Sequence, residues 1–272
     1  MYRKMVVIFV DLLGTRNNRK FEDKFFIHRL FHGEVKINEQ RNLEHVIYDR
    51  KVYSFSDCAY FFYYYKDEIE ECRKNDMKLI QIAMYNTTIS LLRILNAGYL
   101  VRGGVTFGDA YFDELGFFGP AVEKAYELES SYADVPIIAL SPQLGEKFYK
   151  WEESETSMDI VNFLMTSRPM LVEEENGKYW LNIFYQLEAF SPTFDLEDDY
   201  VDLDEIKKNL HRVILRDKDK YQDTQDTRVT TGQRKATVYE KLDWFDRYLQ
   251  SKHNRLNSNI FGGTYGGIVT GD

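Results

Sequence analysis

The stretch from Lys51 to Tyr65, KVYSFSDCAYFFYYY, leaves this chain few ways to fold. Aromatic and β-branched residues of this density favour strands. Ser54–Asp57 interrupts them, so the stretch reads as two strands turning at that point. No Asn-Gly or Asp-Gly pair marks the turn, which leaves the pairing register open. Within it, Asp57 is a lone carboxylate among apolar and aromatic neighbours. A second carboxylate, Asp11, comes near the end of the apolar run Met5–Leu12. That run is rich in Val, Ile and Phe and suits a central strand buried on both faces. Strands lying side by side would bring Asp11 and Asp57 together at one edge of a sheet. Two carboxylates that close repel each other unless a cation stands between them. Oxygen ligands beside a phosphate are what Mg2+ or Mn2+ requires. Asp11 taken alone reads equally as a loop cap. After it, Leu13-Gly14-Thr15 forms a turn whose backbone amides can cradle a phosphate.

The rest of the chain alternates helix and strand patterns. Phe21–Val46 contains a helix with Phe25, Ile27, Leu30 and Phe31 close to one stripe. His28 and His32 have a spacing that metal sites use, but no HExxH accompanies them, so they read as solvated or helix-packing histidines. Asp67–Asn75 is charged and exposed. Met77–Leu95 is strongly helical and stops at Gly98. Tyr99–Ala110 is a strand containing Gly103 and Gly104, a sign of a bulge or of close approach by another group. Tyr111–Phe118 returns as a hairpin strand. Pro120 opens a helix with Ala121, Val122, Ala125 and Leu128 inward. Pro136–Leu140 is a short strand and Pro142–Trp151 a short helix. Beyond Glu152, Met170–Phe184 reads as a hairpin about Glu175-Asn176-Gly177. Leu196–Asp204 reads as an acidic loop, Asp202–Leu215 as helix and Asp217–Lys235 as a flexible polar segment. Ala236–Lys252 is a helix with Val238, Leu242, Phe245 and Leu249 on one stripe, fit for core or partner packing. The glycine-rich end, Phe261–Asp272, lacks GK[ST] and is not a P-loop.

Composition narrows the function. Hydrophobic residues make up 44% and aromatic residues 15%, enough for a core. A formal charge of −9 argues against a nucleic-acid binder, which usually carries a basic stripe. It leaves a nucleotide substrate open, because a metal ion neutralises phosphates locally. Two cysteines, Cys58 and Cys72, make neither a zinc site nor a disulfide scaffold. Cys58 reads as a small buried residue rather than a reactive thiol. The apolar run Met5–Val10 is too short to span a membrane, and no signal-peptide pattern follows it. The expectation is a soluble, cytoplasmic protein.

Four motifs then fall in a telling order: VVIFVDLLG, VYSFSDCAYFF, RGGVTFG and FFGPAVEKAYELES. This order resembles the catalytic domain of class III nucleotidyl cyclases. It is most similar to the Pycsar cyclases of bacteria, which make cyclic UMP or cyclic CMP in anti-phage defence. The resemblance covers about residues 1–140. It implies an α/β (α+β) fold: a ferredoxin-like core of mixed sheet and packed helices over residues 1–140. A C-terminal hairpin and helix extension over 141–258 would pack on that core, with a flexible tail over 259–272. It also implies a head-to-tail homodimer with sites at the interface. Two Mn2+ or Mg2+ ions would be held by Asp11, Asp57 and the backbone carbonyl of Leu12. The amides of Leu13, Gly14 and Thr15 would hold the triphosphate.

Base choice turns on one position. Adenylate cyclases carry a lysine, and guanylate cyclases a glutamate, four residues before the second aspartate. Here that residue is Tyr53. Its ring fills space a purine would need, and its hydroxyl can hydrogen-bond a smaller base, as in uridylate cyclases of the Pycsar group. The resemblance therefore implies UTP, with CTP as the alternative. Tyr53 also reads as an ordinary strand aromatic. The chain departs from the classical pattern where Gly116, Glu123 and Glu127 stand for a base-reading Asp, a ribose-orienting Asn and a phosphate-binding Arg. Another cation must then serve the leaving group, and Arg102 and Lys124 are the candidates. Arg102 reads equally as a structural ion pair, and Lys124 as a solvated helix residue. Two rival readings remain: a purine cyclase, or a degenerate cyclase fold that only binds or signals. A separate cyclic-nucleotide effector is implied by the family alone. The stripe of Ala236–Lys252 adds slight independent support for a dimer.

Overall fold

A computed structural model describes residues 1–13, 15, 20–32, 46–131, 133–156, 170–173, 177–185, 193–196, 199–221, 229–230, 233–234 and 238–257. The expected glycine-rich tail over 259–272 and the turn residues Glu175 and Asn176 lie outside them, as does Gly14.

The first strand, β1 (Arg3–Leu13), is central. Successive side chains of a strand point to opposite faces, and in β1 both faces are apolar. Val6, Ile8 and Val10 join one buried cluster, while Met5, Val7 and Phe9 join another. Helix α1 (Phe21–His32) follows, then strands β2 (Tyr48–Phe55) and β3 (Cys58–Tyr65). Next come helix α2 (Asp76–Asn96) and strand β4 (Leu100–Phe112). The four strands run β2-β3-β1-β4 across the sheet, each antiparallel to its neighbour. The chain order βαββαβ with this spatial order is the ferredoxin-like, split βαβ arrangement. Strand β5 (Phe117–Phe118) hairpins onto the end of β4. Strand β6 (Ile138–Leu140) lies parallel to β4, and β8 (Tyr179–Leu181) and β7 (Leu171–Glu173) extend the sheet beyond it. The fold is therefore mixed α/β.

Helix α2 starts where the Asn75 side chain caps it, accepting from the Lys78 amide at 3.2 Å. It ends at Gly98, whose φ of 85° lets the chain turn back. Ile27 and Phe31 bury the inner face of α1 on the same side of the sheet. Phe25, expected in that stripe, is half exposed. It precedes Ile27 by two residues, about 200° around a helix, so both cannot face the core. Helix α3 (Pro120–Ser131) covers the opposite face with Ala121, Val122, Ala125 and Leu128 inward, as the sequence suggests.

The two glycines inside β4 mark close approach rather than a bulge. A Cβ on Gly104 would lie 2.4 Å from the carbonyl oxygen of Ala125 in α3. One on Gly103 would lie 1.9 Å from the Phe9 carbonyl oxygen. Helix α3 therefore rests directly on the strand backbone. One residue further on, Leu128 brings Glu129 to the sheet.

Helix α4 (Pro142–Thr156) precedes β7. The acidic segment expected as a loop differs: Thr193–Leu196 (β9) and Asp199–Asp202 (β10) form an antiparallel hairpin. Thr193, Phe194, Tyr200 and Val201 are strand formers, and their pairing outweighs the acids between them. Helix α5 (Leu203–Tyr221) runs past the expected end at Leu215. Val229–Thr230 (β11) pairs with Gln233–Arg234 (β12) inside the segment expected to be flexible. Helix α6 (Val238–Asn257) buries Leu242, Phe245 and Leu249 in the same cluster as Val6, Ile206 and Leu210. That stripe faces this chain's own core, so it gives no support for a dimer. No described helix is long and apolar enough to cross a membrane.

Candidate active site

The carboxylates of interest stand where β1 meets the β2–β3 turn. Asp11 lies opposite Cys58 in the register. The Leu12 amide donates to the Asp57 carbonyl oxygen at 2.9 Å, clamping the end of β1 to the turn. Ser56, in that turn, has a φ of 57°. This left-handed conformation closes the two-residue loop, at a cost of about 1 kcal/mol for a residue with a Cβ. The sequence places Asp11 and Asp57 46 residues apart, and the sheet brings them to adjacent strand ends.

Each carboxylate has its own support. Asp57 accepts a short hydrogen bond from the Thr15 hydroxyl, and Thr15 is almost wholly buried. Burial alone would raise the Asp57 carboxyl. The hydroxyls of Thr15 and Ser56 and the ammonium of Lys24 outweigh it and hold the group below its ordinary value. Lys24, on α1, donates to the Ser56 hydroxyl at 3.2 Å. Asp11 accepts from Arg102 of β4, its cross-strand neighbour, through Nη2 at 3.2 Å and Nε at 3.3 Å. Both reach the same oxygen, Oδ2. The Arg102 Nε also stands 2.5 Å from Oε1 of Glu129, which α3 delivers to the same spot. Glu129 is 5% exposed at its side chain, against 23% for Asp11.

Cys58 reports how these charges converge. Its thiol is pushed up to about 11, first by burial and then by Asp11, Asp57 and Glu129. A thiol raised that far stays protonated at neutral pH and is inert, although Cys58 is only half-buried rather than buried as the sequence suggests. Asp11, Asp57 and Glu129 all act on Cys58, with Arg102 beside Asp11 and Glu129 and Lys24 beside the turn that carries Asp57. Among the described residues, no group of three His, Cys, Asp or Glu side chains could hold an ion by itself. The donor set of Asp11, Asp57 and the Leu12 carbonyl is all oxygen and incomplete. This fits Mg2+ or Mn2+, which take one or two carboxylates and complete their shells with water and phosphate oxygens.

The remaining candidates are spread around this point. Leu13 ends β1 opposite Leu100. Thr15 contributes its hydroxyl, a contact that its expected role as an amide donor did not foresee. Tyr53 lies on the same sheet face as Asp11, opposite Tyr60, within an aromatic group that includes Phe62, Phe112 and Phe117. Its hydroxyl donates a short hydrogen bond to the Asp113 carbonyl. Burial, then Asp113 and Glu114, raise its pKa. Asp113 in turn accepts from the amides of Leu115 and Gly116 at 2.8 and 3.1 Å, so Tyr53 is tied to the β4–β5 turn. Lys124 faces outward from α3, half exposed, and pairs with Glu127 at 3.1 Å. His28 and His32 pack with ring centroids 4.5 Å apart and planes inclined by 42°, and each has a ring nitrogen on the Ser54 hydroxyl, at 2.8 and 2.9 Å. That is a packing role.

Sequence reasoning missed Glu129 and Lys24. Glu129 had a signal: it adjoins Leu128 and follows Ala125 by four residues, so it borders the inner stripe of an amphipathic helix. A carboxylate there needs a buried cation, and Arg102 is that cation. Lys24 carried no such signal, because only the fold brings α1 to the turn. Compared with known proteins, the chain matches no family model and no curated protein.

Proposed function

We propose that this chain is a uridylate cyclase, converting UTP to cyclic UMP and pyrophosphate. The observation that carries the reading is the meeting of Asp11 and Asp57 at adjacent strand ends, joined through the Leu12 amide. In the reaction the ribose 3′-oxygen forms a bond to the α-phosphorus. The bond from that phosphorus to the β-phosphate bridging oxygen breaks, pyrophosphate leaves with the electron pair, and the hydroxyl proton passes to solvent. Divalent ions at this point would favour ionisation of the 3′-hydroxyl and neutralise the departing pyrophosphate.

The chain's own residues supply position and charge. Asp11, Asp57 and the Leu12 carbonyl would hold the ion. Thr15 and Lys24 keep Asp57 ionised. Tyr53 and its aromatic neighbours offer an apolar surface on the same sheet face as Asp11, and the choice of a base smaller than a purine follows from the family resemblance. UTP is favoured over CTP by Tyr53 on the family resemblance alone. Lys124, turned outward, belongs in this reading to a head-to-tail homodimer, which the family resemblance implies. Production of a second messenger in the cytoplasm for anti-phage defence, read by a separate effector, belongs to the same reading.

One observation favours a second reading, a fold that has lost catalysis. Arg102 already occupies Asp11. The test is incubation of purified protein and Mn2+ with each of UTP, CTP, ATP and GTP, with products resolved by chromatography. Cyclic UMP from native protein and none from Asp57→Ala supports the enzyme. Cyclic CMP, AMP or GMP instead corrects the base. No product from any triphosphate favours the degenerate module.

A further inference from the structure

Resting on the reading of this site as a triphosphate cyclase, we infer that Lys24 is the cation that binds the β- and γ-phosphates and takes up charge as pyrophosphate leaves. Arg102 and Lys124, the cations expected there from the sequence, both have carboxylate partners. Arg102 pairs with Asp11 at 3.2 Å and stands 2.5 Å from Glu129. Lys124 pairs with Glu127 at 3.1 Å.

Lys24 is placed differently. It lies near the start of α1, and its ammonium donates to the Ser56 hydroxyl in the β2–β3 turn at 3.2 Å. Among the described residues, no carboxylate lies within ion-pair distance of it. Yet Asp57 feels this ammonium, which helps to hold its carboxyl below the ordinary value. The charge is therefore beside the candidate metal ligand without being bound by it. A phosphate oxygen would replace a neutral hydroxyl with an ionised acceptor, and hydrogen bonds between charged partners are about twice as strong as neutral ones. The layout fits a nucleotide as well. Tyr53 and Asp11 lie on the sheet face covered by α3, while α1 packs its Ile27 and Phe31 on the other face. Base, reacting phosphate and phosphate tail would follow the order Tyr53, aspartates, Lys24 around the strand ends. When the bond from the α-phosphorus to its bridging oxygen breaks, the electron pair stays on that oxygen. Lys24 offsets part of the resulting charge and keeps its own protons.

Two titrations test this on full-length native protein, Lys24→Met and Lys24→Arg: inorganic pyrophosphate in saturating Mg2+ by calorimetry, and Mn2+ alone by electron paramagnetic resonance. Both substitutions put a good helix former at a half-exposed position, so folding is not at stake. Lys24→Met should bind pyrophosphate about tenfold more weakly, the scale of a lost charge-assisted hydrogen bond. It should bind Mn2+ as tightly as native protein or up to about fivefold more tightly, because a repelling charge is gone. Lys24→Arg should recover most of the pyrophosphate affinity. A fall in both affinities would make Lys24 a prop for the turn and overturn the inference. Unchanged pyrophosphate affinity in Lys24→Met, or an arginine variant no better than the methionine one, would overturn it too. Either result leaves the cyclase reading standing if native protein binds Mn2+ and makes cyclic UMP. Native protein that binds no Mn2+ overturns that reading, and the inference with it.

Discussion

Substituting Gly104 with alanine should damage the protein, while the same change at Gly108 should not. Both glycines lie on β4, on the face covered by α3. At Gly104 the new Cβ would stand 2.4 Å from the Ala125 carbonyl oxygen and 2.7 Å from the Leu128 Cβ. Neither neighbour is a flexible side-chain end, so the helix must back away by about 1 Å to restore van der Waals distance. Overpacking of this kind costs about 2–3 kcal/mol, which in a chain of this size lowers Tm by about 5–10 °C. At Gly108 the nearest atom to a new Cβ is the Ala121 Cβ at 3.6 Å, an ordinary contact. Gly108→Ala should therefore be neutral, or stabilise by up to about 1 kcal/mol through the unfolded chain. Differential scanning calorimetry of both variants decides it. Because Glu129 rides on α3, Gly104→Ala should also lengthen its 2.5 Å approach to Arg102. Equal melting temperatures for the two variants would refute the claim that α3 rests on the strand backbone at Gly104.

Other outcomes follow from single contacts. Thr15→Val keeps shape but removes the hydroxyl donor to Asp57. With its folded pKa depressed, Asp57 contributes stability above the ordinary carboxylate range and loses it as pH falls below that range. Denaturant unfolding should show Thr15→Val weaker than native by about 1 kcal/mol at pH 7, with the gap closing in acid. Glu152 has the opposite sign. Burial pushes its carboxyl from 4.5 up to about 7, against the Met170 amide, which it accepts at 3.2 Å. A carboxyl raised on folding loses stability as pH rises from its unfolded value to its folded one. Glu152→Gln should therefore match native protein near pH 4 and exceed it by about 2–3 kcal/mol at pH 8, measured by the same unfolding series. Tyr53→Ala should relax base choice among triphosphates more than it lowers total turnover. An equal loss on every nucleotide would make the ring purely structural.

Much of this architecture can be read from the chain. β1 is apolar on both faces because it is central, and Met5–Leu12 announces that directly. The Lys51–Tyr65 hairpin, the end of α2 at Gly98 and the start of α3 at Pro120 each rest on local chemistry. What stayed hidden is non-local. Arg102 meets Asp11 across 91 residues only because β1 and β4 pair in one register. Lys24 reaches Ser56 only once α1 lies beside the β2–β3 turn. The Leu196–Asp204 acids masked the strand formers Thr193, Phe194, Tyr200 and Val201. The α6 stripe has the same periodicity whether it faces a partner or its own core, and the buried Phe245 and Leu249 resolve that ambiguity.

A crystal soaked with Mn2+ and a non-cyclisable UTP analogue, read by anomalous scattering at the manganese edge, addresses the chemistry at its source. Manganese peaks about 2.1–2.2 Å from carboxylate oxygens of both Asp11 and Asp57, with analogue phosphates completing their shells, are the expected result. Peaks elsewhere, with the two aspartates sharing no ion, would contradict it.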